Sequence, residues 1–542
     1  MGIISKLKGA LRRMSELTGA SKEFKDIFEL GGVPAFNQFY YYGIFPWHYL
    51  YKGFYNAWHL IPAPTIHDPK ANRELYRLNL PKAACAELAG LLWAEKCKVN
   101  VNLPGFEPTD EEPDDKAQRF IDSVLRQNNF GQKMQEAIEQ MLALGGEALK
   151  VWCEEAHDEN GNTIPGTGKI RIGYCMADQF VPTSWDNAKV SEGVFISRRA
   201  LDGYYYTRLE WHKWDGETYV VSNELYRAEM RKGAGAEPQD ILGIRYPLSA
   251  IYPYLAEETP ITGLEQSLFS YMRTPIANNL DDNSPLGVSI YGNAMETLHA
   301  LDIAFDSFVR EFRLGKKRII VPARAIRAVP DPDTGIMRRY FDANDEVYEA
   351  LATDEEGANK ITDNSVELRV EEHVEAINTL LQVLCLQLGF SANTFSFDTK
   401  GGLKTATEVV SENSKTFKTV KSVQSMLTPA IEDLVHNIFA LAQLYDLEFE
   451  GEHVRSWFSE TAPLSTQYEC SLAWDDSIIE DKAAEQTQAL QEVDRGLLSK
   501  KTYLMTMRGM TEEQADAELA RIADESSIGG TAVDVLFGGA EE

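Results

Sequence analysis

The sequence predicts an α+β fold, mostly helical, built from several modules. Three observations predict it. Apolar residues recur at spacings of 3, 4, 3 and 4 in two places, Leu298, Leu301, Phe305, Phe308, Phe312 and Val374, Ile377, Leu381, Leu384, Leu388, which predicts two seamed helices. A long helical pattern runs over 404–445. Between 147 and 227, alternating stretches flank Asn160-Gly161 and Asp215-Gly216, which predicts β hairpins. A length of 542 residues suits about three to five modules at roughly 100–200 residues each.

The first 74 residues read as an arm. Lys6, Lys8, Arg12 and Arg13 around Ile3, Ile4, Leu7, Leu11 and Met14 predict a basic amphipathic helix, and residues 34–61 are rich in aromatic rings. Lys52 is the one basic residue among those rings, so packing is favoured over base stacking. Helices are predicted at Leu80 to Glu95 and, as one element, at Asp115 to Leu144, ending at Gly145-Gly146. Strands are predicted near 147–154, 169–175, 204–214 and 217–227, with Tyr205, Thr207, Leu209 and Trp211 marking one buried face.

The two seamed helices bracket an insert polarised by charge. Residues 316–339 hold seven basic and two acidic residues, and 341–375 hold twelve acidic and two basic. Arg318 to Pro322 reads as a strand in a small α/β module, although a charge run is often a solvated face. The loop Ser391 to Leu403 follows. Thr405-Ala406-Thr407-Glu408 caps the long helix, in which Pro429 predicts a kink or break. A strand at Tyr468 to Trp474 and helices after Ser477 and Thr511 complete the chain, and the Gly-rich acidic tail 524–542 reads as disordered.

Composition narrows the function. With 53 Lys+Arg against 83 Asp+Glu, the net charge is −30, and such a surface repels phosphate, which argues against a DNA-coating protein. The rings (24 Phe, 23 Tyr, 9 Trp) supply a large core, which argues against disorder. The six scattered cysteines form no CxxC and read as buried thiols in a reducing compartment. No segment reads as a signal peptide or a membrane span, Lys6 breaks a myristoylation motif, and no membrane partner is expected.

Catalytic signatures fail on inspection. In Gly166-Thr167-Gly168-Lys169-Ile170, Thr163 replaces the first glycine of a phosphate loop and Ile170 the hydroxyl that meets magnesium. Gly287 to Gly292 is one residue too long for a nucleophile elbow. Asp331 to Gly335 reads as a turn, His373 as a surface residue, and no HExxH occurs. The pairs Asp302/Asp306 and Asp475/Asp476 have no partner base in view. The reading is therefore not an enzyme, with no cofactor and no metal.

Several stretches carry a resemblance: Ala143 to Lys150, Ala177 to Ser184, Tyr205 to Glu210, Ser284 to Ser289, Asp306 to Phe312 with Gly315 to Ile319, Lys404 to Val409 with Ser411 to Thr416, and Trp474 to Ile478. In this order, over most of 75–500, they resemble the portal proteins of tailed double-stranded-DNA bacteriophages, in the long-tailed siphophage portal family. The segment 34–61 and the tail after 524 depart from the pattern.

The resemblance implies a portal architecture: wing (75–290), first stem helix (291–315), clip (316–370), second stem helix (371–390), tunnel loop (391–403), long kinked wing helix (404–445), wing strand segment (446–479) and helical crown (480–523). It implies a dodecameric homo-oligomer around a DNA channel at one capsid vertex, located in the virion after synthesis in the bacterial host cytoplasm. DNA would be packaged through it by the large terminase, which holds the ATPase, and later ejected. The portal would also nucleate head assembly. Partners would be double-stranded DNA in transit, major capsid and scaffolding proteins, and head-completion or adaptor proteins. The tunnel loop would present Asn393, Thr394, Phe395, Ser396, Phe397, Asp398, Thr399 and Lys400 to DNA. Asp302 and Asp306 would line the stem, since an acidic lumen lets phosphates slide. Lys316, Lys317, Arg318, Arg324 and Arg327 would meet a neighbouring clip, terminase or an adaptor. Competing readings are another head-assembly or adaptor protein, and an acidic multidomain hydrolase.

Overall fold

The computed structural model describes residues 40–64, 68–93, 97–106, 114–155, 168–187, 189–230, 242–315, 318–320, 327–330, 335, 337–340, 362–364, 367–392, 394–397, 406–459, 461–474, 489–508, 510 and 514–522. In the described part of the aromatic segment a π-helical turn (Tyr40–Ile44) leads into the short helices α1 (Phe45–Tyr51) and α2 (Asn56–His59), and Trp47 and Leu50 are buried. Strands β1 (Leu60–Pro62) and β2 (Asn72–Glu74) then pair antiparallel, Leu60 opposite Glu74.

Next come α3 (Leu80–Leu92), β3 (Lys98–Asn102), α4 (Lys116–Gln127) and α5 (Phe130–Leu144). Pro81 sits in the first turn of α3, where no amide hydrogen is needed. Asp115 caps α4: its carboxylate accepts the Ala117 N–H at 2.9 Å and the Leu103 N–H at 2.6 Å. The single helix expected over 115–144 is two. Asn129 takes a left-handed backbone (φ 51°), and the Asn128 amide donates to both Val124 O and Ile170 O, so the side chain ends one helix and ties it to a strand.

The β region is larger than the periodicity predicts. Strands β4 (Gly146–Glu154) and β5 (Lys169–Met176) form a three-stranded sheet with β12 (Phe269–Arg273), in the order β12-β4-β5. A second sheet holds β6 (Phe180–Asp186), β7 (Lys189–Leu201), β8 (Tyr204–Asp215), β9 (Thr218–Glu229) and β10 (Ile244–Tyr246), with β11 (Glu258–Ile261) also on β9. The β8–β9 hairpin turns at Gly216 (φ +59°), with Asp215 opposite Thr218. β8 is buried on both faces. Leu209 and Trp211 face the main core, while His212 lies against Phe195 and Phe269, and Tyr206 against Leu225 and Leu248. One buried face was expected; a second packing layer covers the other.

Helix α6 (Met295–Leu314) and helix α7 (Val370–Leu388) bracket four short strands, β13 (Arg318–Ile320), β14 (Arg327–Pro330), β15 (Met337–Tyr340) and β16 (Thr362–Asn364). β13 pairs with β16 and β14 with β15. Helix α8 (Ala406–Leu444) runs 39 residues and continues through Pro429, so no break occurs there. Nearby hydroxyls bond back along the helix, Thr428 Oγ1 to Gln424 O at 2.9 Å and Ser425 Oγ to Ser422 O at 2.8 Å. The capping sequence at Thr405, like those at Ser477 and Thr511, lies outside the described residues.

α8 is the axis of the core and packs against β4, β12 and α3. Phe439, fully buried, meets Phe120 (6.0 Å between ring centres), Phe458 (5.2 Å) and Tyr468 (5.0 Å). After the small pair β17 (Glu448–Phe449) and β18 (Glu452–His453), strand β19 (Glu469–Ala473) returns to pair with β3, Ala473 opposite Lys98. The far end of the chain thus closes the same body that the first helices open. Helix α9 (Lys500–Arg508) follows and buries no residue fully.

Candidate functional site

The paired helices α6 and α7 hold most of the residues singled out in the sequence. Their seams meet antiparallel. Leu298 and Leu301 are buried on α6, and Ile377, Leu381, Leu384 and Leu388 on α7. Toward the insert Phe308 packs against His373, 5.9 Å between ring centres, while Phe312 is 45% exposed. That end is held by Glu311, which accepts from Arg369 Nε at 3.1 Å and Nη2 at 2.9 Å. The Arg369 guanidinium holds the Glu311 carboxyl below its ordinary range.

Asp302 and Asp306 do not project outward. Both are buried beneath His59 and residues 73–78. Asp302 accepts the Leu78 N–H at 3.0 Å and lies 3.1 Å from His59 Nε2. His59 Nδ1 accepts the Tyr55 N–H at 2.9 Å, so Nε2 carries the hydrogen and donates to Asp302. Asp306 takes a two-pronged bond from Arg73, at 2.7 and 2.6 Å, and accepts the Tyr76 N–H at 3.2 Å. The Arg73 bond holds the Asp306 carboxyl below its ordinary range. Within the chain, the pair expected to line the stem is held inward by these partners. Both carboxylates are bonded under a covering segment, so neither side chain is free to touch a passing phosphate.

The loop after α7 is anchored at its root. Gly389 (φ +83°) ends the helix, and its carbonyl accepts Thr419 Oγ1 of α8 at 2.8 Å. Phe390 is buried, and the Ser391 N–H donates to Thr416 Oγ1 at 2.9 Å. Beyond that root Thr394, Ser396 and Phe397 are exposed, and Phe395 is half-buried against Phe390 at 5.2 Å. Asn393, Asp398, Thr399 and Lys400 lie outside the described residues, as do Lys316, Lys317 and Arg324. Arg318 opens β13 and Arg327 opens β14.

Apolar side chains remain on the outer faces of this unit: Ile303 (47% exposed), Leu368, Val383, Leu386 (66%) and Phe397. The seam spacing does not mark Ile303, Val383 or Leu386, because all three stand off the seam positions. Arg73 and His59, the partners of the aspartates, were also passed over. Among the described residues no cluster of His, Cys, Asp or Glu could hold a metal ion, and no helix is long and apolar enough to cross a membrane.

No curated protein matches the chain. Among solved structures, chains of the neck of an empty GTA particle computed with C6 symmetry match at 12% identity and a TM-score of 0.40, covering 80% of this chain and 90% of theirs. Chains of the virion of a native gene transfer agent particle match at 13% identity and a TM-score of 0.40, covering 79% and 89%. The family model described as phage portal protein, SPP1 Gp6-like, matches residues 37–528, nearly the whole sequence, and the chain therefore belongs to that portal family.

Proposed function

We propose that this portal protein assembles into a dodecameric ring around a DNA channel at one capsid vertex, with α6 and α7 as the stem. The observation that carries the reading is the helix pair. Its inner seam is closed, while Ile303, Val383 and Leu386 leave apolar side chains on its outer faces, which a neighbouring subunit would cover. Terminase would drive DNA through the ring, DNA would leave by the same path, and the ring would nucleate the head and receive adaptor proteins. The protein acts as a structural conduit rather than an enzyme, and its place is the virion.

Because Asp302 and Asp306 are covered, acidic lining falls to exposed carboxylates such as Glu371, Glu372 and Glu375 at the start of α7. The loop tip, with Thr394, Ser396 and Phe397, touches the DNA backbone. The basic residues Lys316, Lys317, Arg318, Arg324 and Arg327 meet the acidic half of the next insert, with terminase as the other partner of suitable charge. Replacing Thr394 and Phe397 with Ala tests the loop. Rings should form normally while the amount of packaged DNA falls below the parent's. Packaging at the wild-type level would remove the loop from the DNA path.

A further inference from the structure

We infer that residues 72–79 form a strap latched across α6, and that the latch sets which face of this helix points outward. The two aspartates are its acceptors. They stand four residues apart on α6, a rise of about 6 Å. The donors, the N–H groups of Tyr76 and Leu78, are two residues apart just beyond β2, a reach of up to about 6.6 Å. The spacings match with the strap antiparallel to the helix, since Asp302 takes Leu78 and Asp306 takes Tyr76.

Side chains lock both ends. The Arg73 fork closes one end on Asp306, and His59, held by the Tyr55 N–H, closes the other on Asp302. Three further contacts fasten the cover. Trp58 stacks on His299 at 4.8 Å, Arg313 donates to the Tyr76 hydroxyl at 3.2 Å, and the Leu75 N–H donates to His59 O at 2.7 Å.

The consequence lies in helical phase. At about 100° per residue, α6 carries three strips. Leu298, Leu301 and Phe308 pack on the side of α7, Asp302 and Asp306 face the strap, and Ile303, Ser307 and Arg310 are exposed. Rotation by one residue would carry both aspartates away from their donors and leave two carboxylates and two amides unpaired under the strap. The strap therefore works as a phase lock on the stem helix, and it makes the aromatic segment and α6 move together. The inference rests on the fold of one chain and stands whether or not a ring forms.

Hydrogen exchange read by mass spectrometry tests it on the full-length protein as purified. In D302A/D306A, exchange in 72–79 should rise at least about tenfold, and α6 should lose protection, while β7–β9 stays as in the parent. S307A, on the exposed strip, should leave all three unchanged. The milder R73Q should raise exchange in 72–79 by about threefold or more while the backbone bonds persist. Unchanged exchange at 72–79 in either strap variant would overturn the latch. Loss of protection spreading through β7–β9 would overturn it too, since the aspartates would then be supports of the whole fold.

Discussion

Glu147 is the least expected side chain in the core. It is fully buried, and neither carboxyl oxygen has a hydrogen-bond partner among the described residues. Burial, and secondly the charge of Asp178, push its carboxyl well above the ordinary range. The folded protein thus holds the proton that the unfolded chain releases near pH 4.3. The Glu147 contribution to stability is fully present below that value and declines as pH rises toward the folded value, by up to about 1.4 kcal/mol per pH unit. E147Q mimics the protonated acid, so its denaturation midpoint should match the parent near pH 4.5 and exceed it near pH 8. A difference independent of pH would contradict this. Asp306 has the opposite sign. Its lowered carboxyl contributes stability above the unfolded value near pH 3.9, lost as pH falls through the folded one, so R73Q should destabilise at pH 7 and match the parent at the acid end. The helical spacing of Asp302 and Asp306 was legible in the sequence, but their burial was not. Arg73 stands 233 residues away from Asp306 in the chain, and no local pattern announces such a partner.

At the scale of elements, the junction of α5 and β4 shows what one glycine contact does. Gly145 has φ +87°, and a Cβ on either Gly145 or Gly287 would collide with the other's carbonyl oxygen. The two backbones pass with no room for a side chain. Gly203 also has a positive φ (+80°) but open space around it. G145A and G287A should each cost roughly 2–4 kcal/mol, against about 1 kcal/mol for G203A, measured by denaturant unfolding. Equal costs would mean that the close approach is unimportant. Gly145-Gly146 was readable as a helix end, whereas its partner Gly287 was not. Strand β6 begins with the buried run 180–182 and β7 holds the buried run 193–195, and consecutive buried residues show no alternation, so the periodicity missed both. Asn128 and Asn129 hid the break between α4 and α5, since both helices carry the same apolar rhythm across it. The seams of α6 and α7 were readable because a heptad is a local signal.

For the whole molecule, the ordered set of short motifs revealed the family that no single element could. Composition added a constraint: each subunit carries a net charge of −30, so copies repel one another, and assembly needs apolar contact to offset it. In the proposed ring, the exposed Ile303, Val383 and Leu386 would supply that contact. V383D/L386D adds two charges to this face and should shift the population from rings toward single subunits while leaving the monomer's thermal unfolding within about 1 kcal/mol, because both side chains are already exposed. The measurement that bears most directly on the channel reading is negative-stain electron microscopy of the purified protein beside V383D/L386D, with particles classified by rotational symmetry. The account predicts annular particles with a central hole and about twelve-fold symmetry for the parent, and their loss in the variant. Compact particles without a hole from the parent, at every concentration tried, would contradict it.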